Sequence, residues 1–341
     1  HILKEIVAEA RFGRHDIAHR HQRLRHGGRL ELRPSLALRL RWLDGDPAGT
    51  QPSFGWAMGL DLKLRLTQNL IFDLALNPDF GQVEADQVVL NLTNYETFYP
   101  EKRPFFLEGI DTLRTPLQLF YTRRVGRAPV APSLRSEAPH RESPLKEPEP
   151  TTIYAAGKLL GTLGRRLTIG AFSALSDKNQ IPIQTAAQRP EFRVAEPLKI
   201  QSVLRLKLAL GSNAHIGFVG TALAHFEQAG DAPLLGGAAS GSAEKWCASG
   251  EAVAAQSSCF HDAYVAALDG RWRSRGGDYV LNAQLLLSAI SGGPPRQLSD
   301  GTRIGSGDID TGAYLQFAKE GGEHFLFNVD AQVFGRRLDF N

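Results

Sequence analysis

From residue 151 onward, apolar and polar side chains alternate in about eight segments separated by turn-forming residues, the period of strands with one oily and one polar face. Residues 153–163 turn at Gly164-Arg165 into 166–174, and the polar stretch 175–199 follows. Residues 202–210 turn at Gly211-Ser212-Asn213 into 215–225, before a long loop that carries both cysteines. Residues 263–273 turn through Gly276-Gly277 into 279–290, a Gly/Pro-rich loop intervenes, and 312–319 turn at Gly321-Gly322 into 324–334. Connections thus run short, long, short, long. In one segment Leu204, Leu206, Leu208 and Leu210 oppose Arg205 and Lys207; in the last, Phe325, Phe327, Val329 and Val333 oppose Asn328, Asp330 and Gln332. A soluble sandwich would bury the oily face and a transmembrane barrel would turn it to lipid, and periodicity alone does not choose. Long loops gathered at one end are the habit of outer-membrane barrels. The pattern therefore predicts an all-β fold, an antiparallel transmembrane β-barrel, with Arg205, Lys207, Asp269, Arg271, Asn328 and Asp330 facing its lumen.

The first half continues the pattern less regularly. Leu30, Leu32, Leu36, Leu38, Leu40 and Trp42 oppose Glu31, Arg33, Arg39 and Arg41; Leu62, Leu64 and Leu66 oppose Asp61, Lys63 and Arg65. Thr67-Gln68-Asn69 then turns into Leu70, Phe72, Leu74 and Leu76. With further strands at 83–92 and 117–124, the expected total is about 13, whereas single-chain bacterial barrels have even numbers, so the barrel is expected to be incomplete in this chain. Residues 1–28 read as a connecting segment, with weak helical periodicity over 1–12, and 29–341 as the barrel domain. Within it, 93–116 carries Pro100, Pro104 and Pro116 and reads as a plug or a periplasmic connection, and the Pro-, Arg- and Glu-rich 126–150 as a mobile loop.

Composition narrows the partners. A formal net charge of +3 spread along strands argues against nucleic acid, and no apolar run reaches the roughly 18 residues of a transmembrane helix. The chain starts at His1 with no signal pattern, and both ends read as cut. Cys247 and Cys259 suit a disulfide in an oxidising compartment, with two free thiols as the alternative. His15 and His19, near His21 and His26, have metal-compatible i, i+4 spacing, but basic neighbours and the absence of a partner Glu favour a solvated segment. No nucleophile elbow or phosphate loop is present, so no catalytic motif is recognised, and the Glu101/Glu108 pair alone does not make a glycosidase. Asn91-Leu92-Thr93 reads as a chance sequon. Trp42, Trp56, Tyr154, Phe172, Tyr264, Trp272, Tyr279 and Tyr314 fall near segment ends, as interfacial aromatics do.

Three runs stand out: Asn77-Pro78-Asp79-Phe80-Gly81-Gln82-Val83-Glu84-Ala85-Asp86, Tyr99-Pro100-Glu101-Lys102-Arg103-Pro104-Phe105-Phe106-Leu107-Glu108-Gly109, and Phe120-Tyr121-Thr122-Arg123-Arg124-Val125-Gly126. In this order they resemble the bacterial domain-of-unknown-function family numbered 5916. Its members are similar to outer-membrane barrels and often follow a domain similar to family 9 carbohydrate-binding modules. The resemblance extends more loosely to Leu338-Asp339-Phe340-Asn341, where members continue with further strands. It implies an envelope barrel but no established activity; the preferred reading of the chain is a barrel in contact with outer-membrane lipid that serves as a channel, uptake or secretion component. A cell-surface glycan-binding or glycan-processing protein with polysaccharide or envelope-protein partners is the alternative, and a soluble β-sandwich comes third. Physically, Asp79, Glu84 and Asp86, with Glu101, Glu108, Lys102, Arg103, Arg123 and Arg124, suit a charge network pinning a plug to the wall. No cofactor is expected; a calcium ion on Asp79, Glu84 and Asp86 is the alternative, without regular loop spacing.

Overall fold

The alternation folds into twelve long strands: β1 (Leu3–Arg11), β2 (Leu30–Leu43), β3 (Ser53–Thr67), β4 (Leu70–Leu76), β5 (Ile153–Leu163), β6 (Leu167–Ser176), β7 (Leu198–Ala209), β8 (Ala214–Phe226), β9 (Asp262–Arg273), β10 (Tyr279–Ser291), β11 (Ile309–Lys319) and β12 (Phe327–Phe334). This computed structural model describes residues 3–11, 29–43, 53–78, 100–137, 140–235, 244–298, 300–322 and 324–338. The strands form one antiparallel sheet whose order follows the chain, each paired with its sequence neighbours. Among the described residues no pairing joins β12 to β1, so the sheet is an open meander.

Turn chemistry sets the register at one end. Leu163 pairs with Leu167 around Gly164 at φ 62°, and Arg273 pairs with Val280 around Gly277 at φ 83°; both glycines take the left-handed conformation that side chains disfavour. At the other end the long connections build small sheets of their own. Glu142–Pro144, Asn179–Thr185 and Pro190–Glu196 form one; Leu234–Leu235, Glu244–Trp246 and Ala252–Ala254 form another; Arg296–Gln297 pairs with Arg303–Ile304.

Several expectations are corrected. Residues 1–12 are not helical: all nine residues of β1 pair with β2, from Leu3 opposite Leu43 to Arg11 opposite Ser35, and edge pairing overrides a weak local periodicity. The connecting segment 1–28 therefore contributes a strand. Residues 117–124 are no strand either. They end in the short 3-10 turn Thr122–Arg124, and the carbonyls of Thr122 and Val125 accept from the Arg103 side chain, not from a sheet neighbour. The described part of 126–150, read as mobile, is anchored by buried Glu142, which both Arg135 and Arg193 engage. The last strand begins at Phe327, not 324, and the expected strand 83–92 lies outside the described residues. Among the described residues the main sheet has twelve strands, against a total of about thirteen expected with 83–92 included.

The two faces of the sheet are chemically opposite. In β9, Leu268 is 62% exposed while Asp269 is 6% exposed; in β10, Leu285 is 63% exposed while Gln284 is 1%. Large apolar side chains, including Trp56, Met58, Leu204, Leu208, Leu281, Leu315, Phe317 and Val329, stay exposed on that same outer face. The inner face carries small residues and charge. It packs against residues 105–125, and Phe106, Leu119, Val125, Phe172, Val203, Val219 and Leu286 belong to the core formed there. In its middle Arg205 donates to both carboxylate oxygens of Asp269, the Nη2–Oδ2 distance being 2.8 Å. The guanidinium lies over Gly217, where a Cβ would collide with it. Of the other expected lumen residues, Lys207 is half-buried, and Arg271, Asn328 and Asp330 are exposed.

Removing one member of this pair strands a buried charge, so Arg205→Met alone is expected to lower stability by roughly 3–5 kcal/mol. Arg205→Met with Asp269→Leu is expected to restore most of the loss, read from urea unfolding midpoints; an equal loss in both variants would show that the pair is not a unit.

Candidate functional site

The chain leaves β4 at Leu76, which pairs with Ala155 of β5, at the end where the long connections lie. Asn77 makes the exit, with φ 43°, a conformation Asn tolerates better than most residues. Its side chain donates to the Met58 carbonyl at 2.7 Å and its backbone N–H to the Tyr154 carbonyl at 2.8 Å. Pro78 follows; Asp79, Phe80, Gln82, Glu84 and Asp86 lie outside the described residues, and with them the calcium alternative and three of the carboxylates expected in the charge network. The histidines at 15, 19, 21 and 26 also lie outside.

From Pro100 the chain lies against the inner face of the sheet. Proline at 104 supplies a fixed φ for the one-turn helix Pro104–Leu107, and Gly109 at φ 73° breaks it before the 3-10 turn Ile110–Leu113. Arg103 organises this segment. Its Nε and Nη2 donate to the two oxygens of Glu101 at 2.8 Å each, and Nη1 and Nη2 donate to the carbonyls of Val125 and Thr122 at 2.8 and 2.7 Å. Its guanidinium also stacks 3.9 Å from the Phe106 ring centre. One buried side chain thus joins the two ends of this segment.

The wall reaches in to meet it. Lys158 of β5 is buried, donates to the carbonyls of Phe105 and Glu108 at 2.6 and 2.9 Å, and pairs with Asp73 of β4 at 3.3 Å. Lys63 of β3 pairs with Glu108. Gln284 of β10 accepts from the Leu117 N–H at 2.7 Å, and Phe172 of β6 sits 5.6 and 5.3 Å from the rings of Phe106 and Phe120. A Cβ on Gly170 would lie 2.8 Å from Leu113, so glycine there lets the 3-10 turn approach the wall. Of these, the sequence marked Lys63 only as part of a charged strand face and Phe172 as an interfacial aromatic, whereas Phe172 is buried in the core; Asp73, Lys158, Gly170 and Gln284 were not singled out. Lys158 had a signal, being the only charge in an otherwise apolar strand.

Beyond the plug, at the long-connection end, a cavity of about 930 Å³ opens. The segment between β4 and β5 contributes Arg124 and Arg127; β7 contributes Lys199 and Gln201, with Glu196 just before it; β8 contributes Leu223 and His225; the cysteine loop contributes Glu251, Phe260 and His261; and the last long loop contributes Pro294, Pro295 and Arg296. Its rim is tied together. A disulfide joins Cys247 to Cys259, Glu227 accepts from the N–H groups of Cys259 and Phe260 at 2.8 Å, and Trp246 donates to the Ser133 carbonyl at 2.9 Å. His225 donates through its backbone N–H to Asp262 at 2.8 Å, and burial of Glu196 is outweighed by His225 and Lys199, which hold its carboxyl below the ordinary value. Arg123 shares the 3-10 turn with Arg124. Among the described residues no three His, Cys, Asp or Glu side chains cluster as a metal site would.

With this geometry in place, comparison with known families is specific. Residues 28–264 match the family described as a domain of unknown function, DUF5916, and the chain belongs to it. The match spans the strands from β2 to β8, the plug and the start of β9. No curated protein and no solved structure matches the chain.

Burial of Glu101 opposes its ionisation, but hydrogen bonds from Arg103 and Thr122 and the Arg103 charge outweigh this and hold the carboxyl below its ordinary value. A carboxyl with a lowered folded value stabilises above the unfolded value, and that contribution is lost as pH falls through the folded one. Acidification below the ordinary carboxylate range is therefore expected to loosen residues 103–125, seen as faster amide hydrogen exchange at Phe106, Leu107 and Val125. Glu101→Gln should abolish that acid-dependent step; an unchanged step in the variant would assign it to another group.

Proposed function

We propose that this chain forms the wall of a bacterial outer-membrane β-barrel, with its exposed apolar face toward lipid and residues 100–126 as a plug inside. It serves as a channel, uptake or secretion component. The observation that carries the reading is the inversion of the faces: Leu268 and Leu285 outside, paired Arg205 and Asp269 within. Each large apolar side chain left in water forgoes about 1.5–3 kcal/mol of burial, which makes a wet outer face of this extent unfavourable and a lipid-covered one favourable. Tight turns at one end and long connections at the other agree with that orientation. Exposed Tyr154, Tyr264, Trp272 and Tyr279 near strand ends suit a membrane interface. In this orientation the plug enters from the outer side, because it leaves and rejoins the sheet at the long-connection end.

Recovery of the native protein in outer membranes, with gel mobility that shifts on boiling, is the expected result; recovery in a detergent-free soluble fraction overturns the reading. A point substitution tests the face assignment itself. Leu285→Arg is expected to cost roughly 2–4 kcal/mol in membrane assembly, the cost of a cation facing lipid near the midplane. On a water-facing surface the same change would be close to neutral.

A further inference from the structure

We infer that the cavity above the plug is a binding site for a small organic anion that also carries hydroxyl groups, such as a sugar acid or sugar phosphate. The inference concerns the cavity alone and does not rest on the membrane reading.

Charge is the first ground. Four formally cationic side chains, Arg124, Arg127, Lys199 and Arg296, line the cavity against two carboxylates, Glu196 and Glu251. They come from the plug, the wall and a rim loop, so the positive field converges on the opening from separate elements. Lys199 pairs with Glu196 at 2.7 Å, and the cationic excess that remains in the cleft concentrates anions.

Two acceptors supply the second ground. Gln201 is more than nine-tenths buried, lines the cavity, and its Oε1 has no protein partner. His261 lines the cavity as well; one ring nitrogen bonds the Pro294 backbone, while Nε2 is buried with no protein partner. Burial first, and then the Arg296 charge, hold the imidazole below its ordinary value, so at neutral pH it is uncharged and Nε2 is an acceptor. Acceptors want donors, and a simple inorganic anion at neutral pH brings few. A solute with hydroxyl groups beside its charge satisfies the acceptors and the cations together.

The site is also built to hold its shape. The His261 ring packs on Gly293, whose φ is 69° and where a Cβ would lie 2.7 Å from three ring atoms. The Cys247–Cys259 disulfide fixes the strand end from which His261 projects, two residues beyond Cys259. A cavity of about 930 Å³ accommodates a mono- or disaccharide-sized ligand.

Titration calorimetry of the full chain in detergent at low ionic strength tests this with glucuronate, glucose 6-phosphate, glucose and propionate as probes. At least one of the two hydroxylated anions is expected to bind about tenfold more tightly than glucose or propionate, since a charge-assisted hydrogen bond contributes roughly that factor. Which of the two binds better identifies the acid group. Arg296→Gln and Gln201→Leu are each expected to weaken binding by about three- to tenfold, and Arg275→Gln, in the exposed turn at the opposite end, to leave it unchanged. Binding of none of the four probes overturns the proposal, as does equal binding of glucose and glucuronate, or an equal loss in Arg275→Gln. Boiling-dependent gel mobility, run in parallel on the same samples, reports on the barrel independently of binding.

Discussion

A charged side chain on the covered face of a sheet must find its counter-charge there, because stripping water from either ion alone costs several kcal/mol. In this protein that requirement fixes which strands lie together and where the plug can sit. Asp73 and Lys158 are direct register partners on β4 and β5, so a slip of one residue would send one charge to the opposite face. Arg205 and Asp269 sit on strands separated by β8 and reach each other over Gly217, so the pair spans three strands and tolerates no side chain between. Lys158 then spends its remaining donors on two carbonyls of the plug, and Arg103 closes the plug on itself.

The same economy explains why the inner face is otherwise small. Ala156, Ala174, Ala267 and Gly170 leave room for Phe106, Leu113, Leu119 and Phe120 to supply the volume from a segment that is not itself a strand. The core of this protein therefore lies between a sheet and an irregular chain, held by aromatic contact and by hydrogen bonds from side chains to backbone. The opposite face takes no part in it. It keeps large apolar side chains exposed, with no cover from the described residues.

Above the plug the long connections are not bare loops. The connections after β6, β8 and β10 pair within themselves, and Glu142–Pro144 from the connection before β5 pairs with Asn179–Thr185. The Cys247–Cys259 disulfide and Glu227 close the cysteine loop on itself, and Trp246 ties that loop to Ser133. The result is a rim stiff enough to present side chains from five separate segments to one cavity. Its cationic excess sits where the plug residues Arg124 and Arg127 face the wall residues Lys199 and Gln201, so access to the plug and composition of the cavity are shared by the same groups.

Strand positions after residue 151, the tight turns and the division of each strand into an oily and a charged face were legible in the sequence, because they follow from a period of two and from local turn chemistry. The segment with Pro100, Pro104 and Pro116 was legible as a break in that period, marked by those prolines. Leu3–Arg11 and residues 117–124 were misread because their state depends on what lies beside them: β2 offers the first a free edge, and Arg103 takes the Thr122 carbonyl of the second into the 3-10 turn at its end. The partners of the buried charges were also out of reach. Arg205 and Asp269 are 64 positions apart, and nothing local in either neighbourhood names the other. The cavity is the extreme case, since its residues come from the plug, two strands and separate connections, and only the closing of those connections over one end of the sheet gathers them. Pattern along a chain determines which face a side chain takes; which side chains then meet is decided by strand order and by the need of each buried charge for a partner.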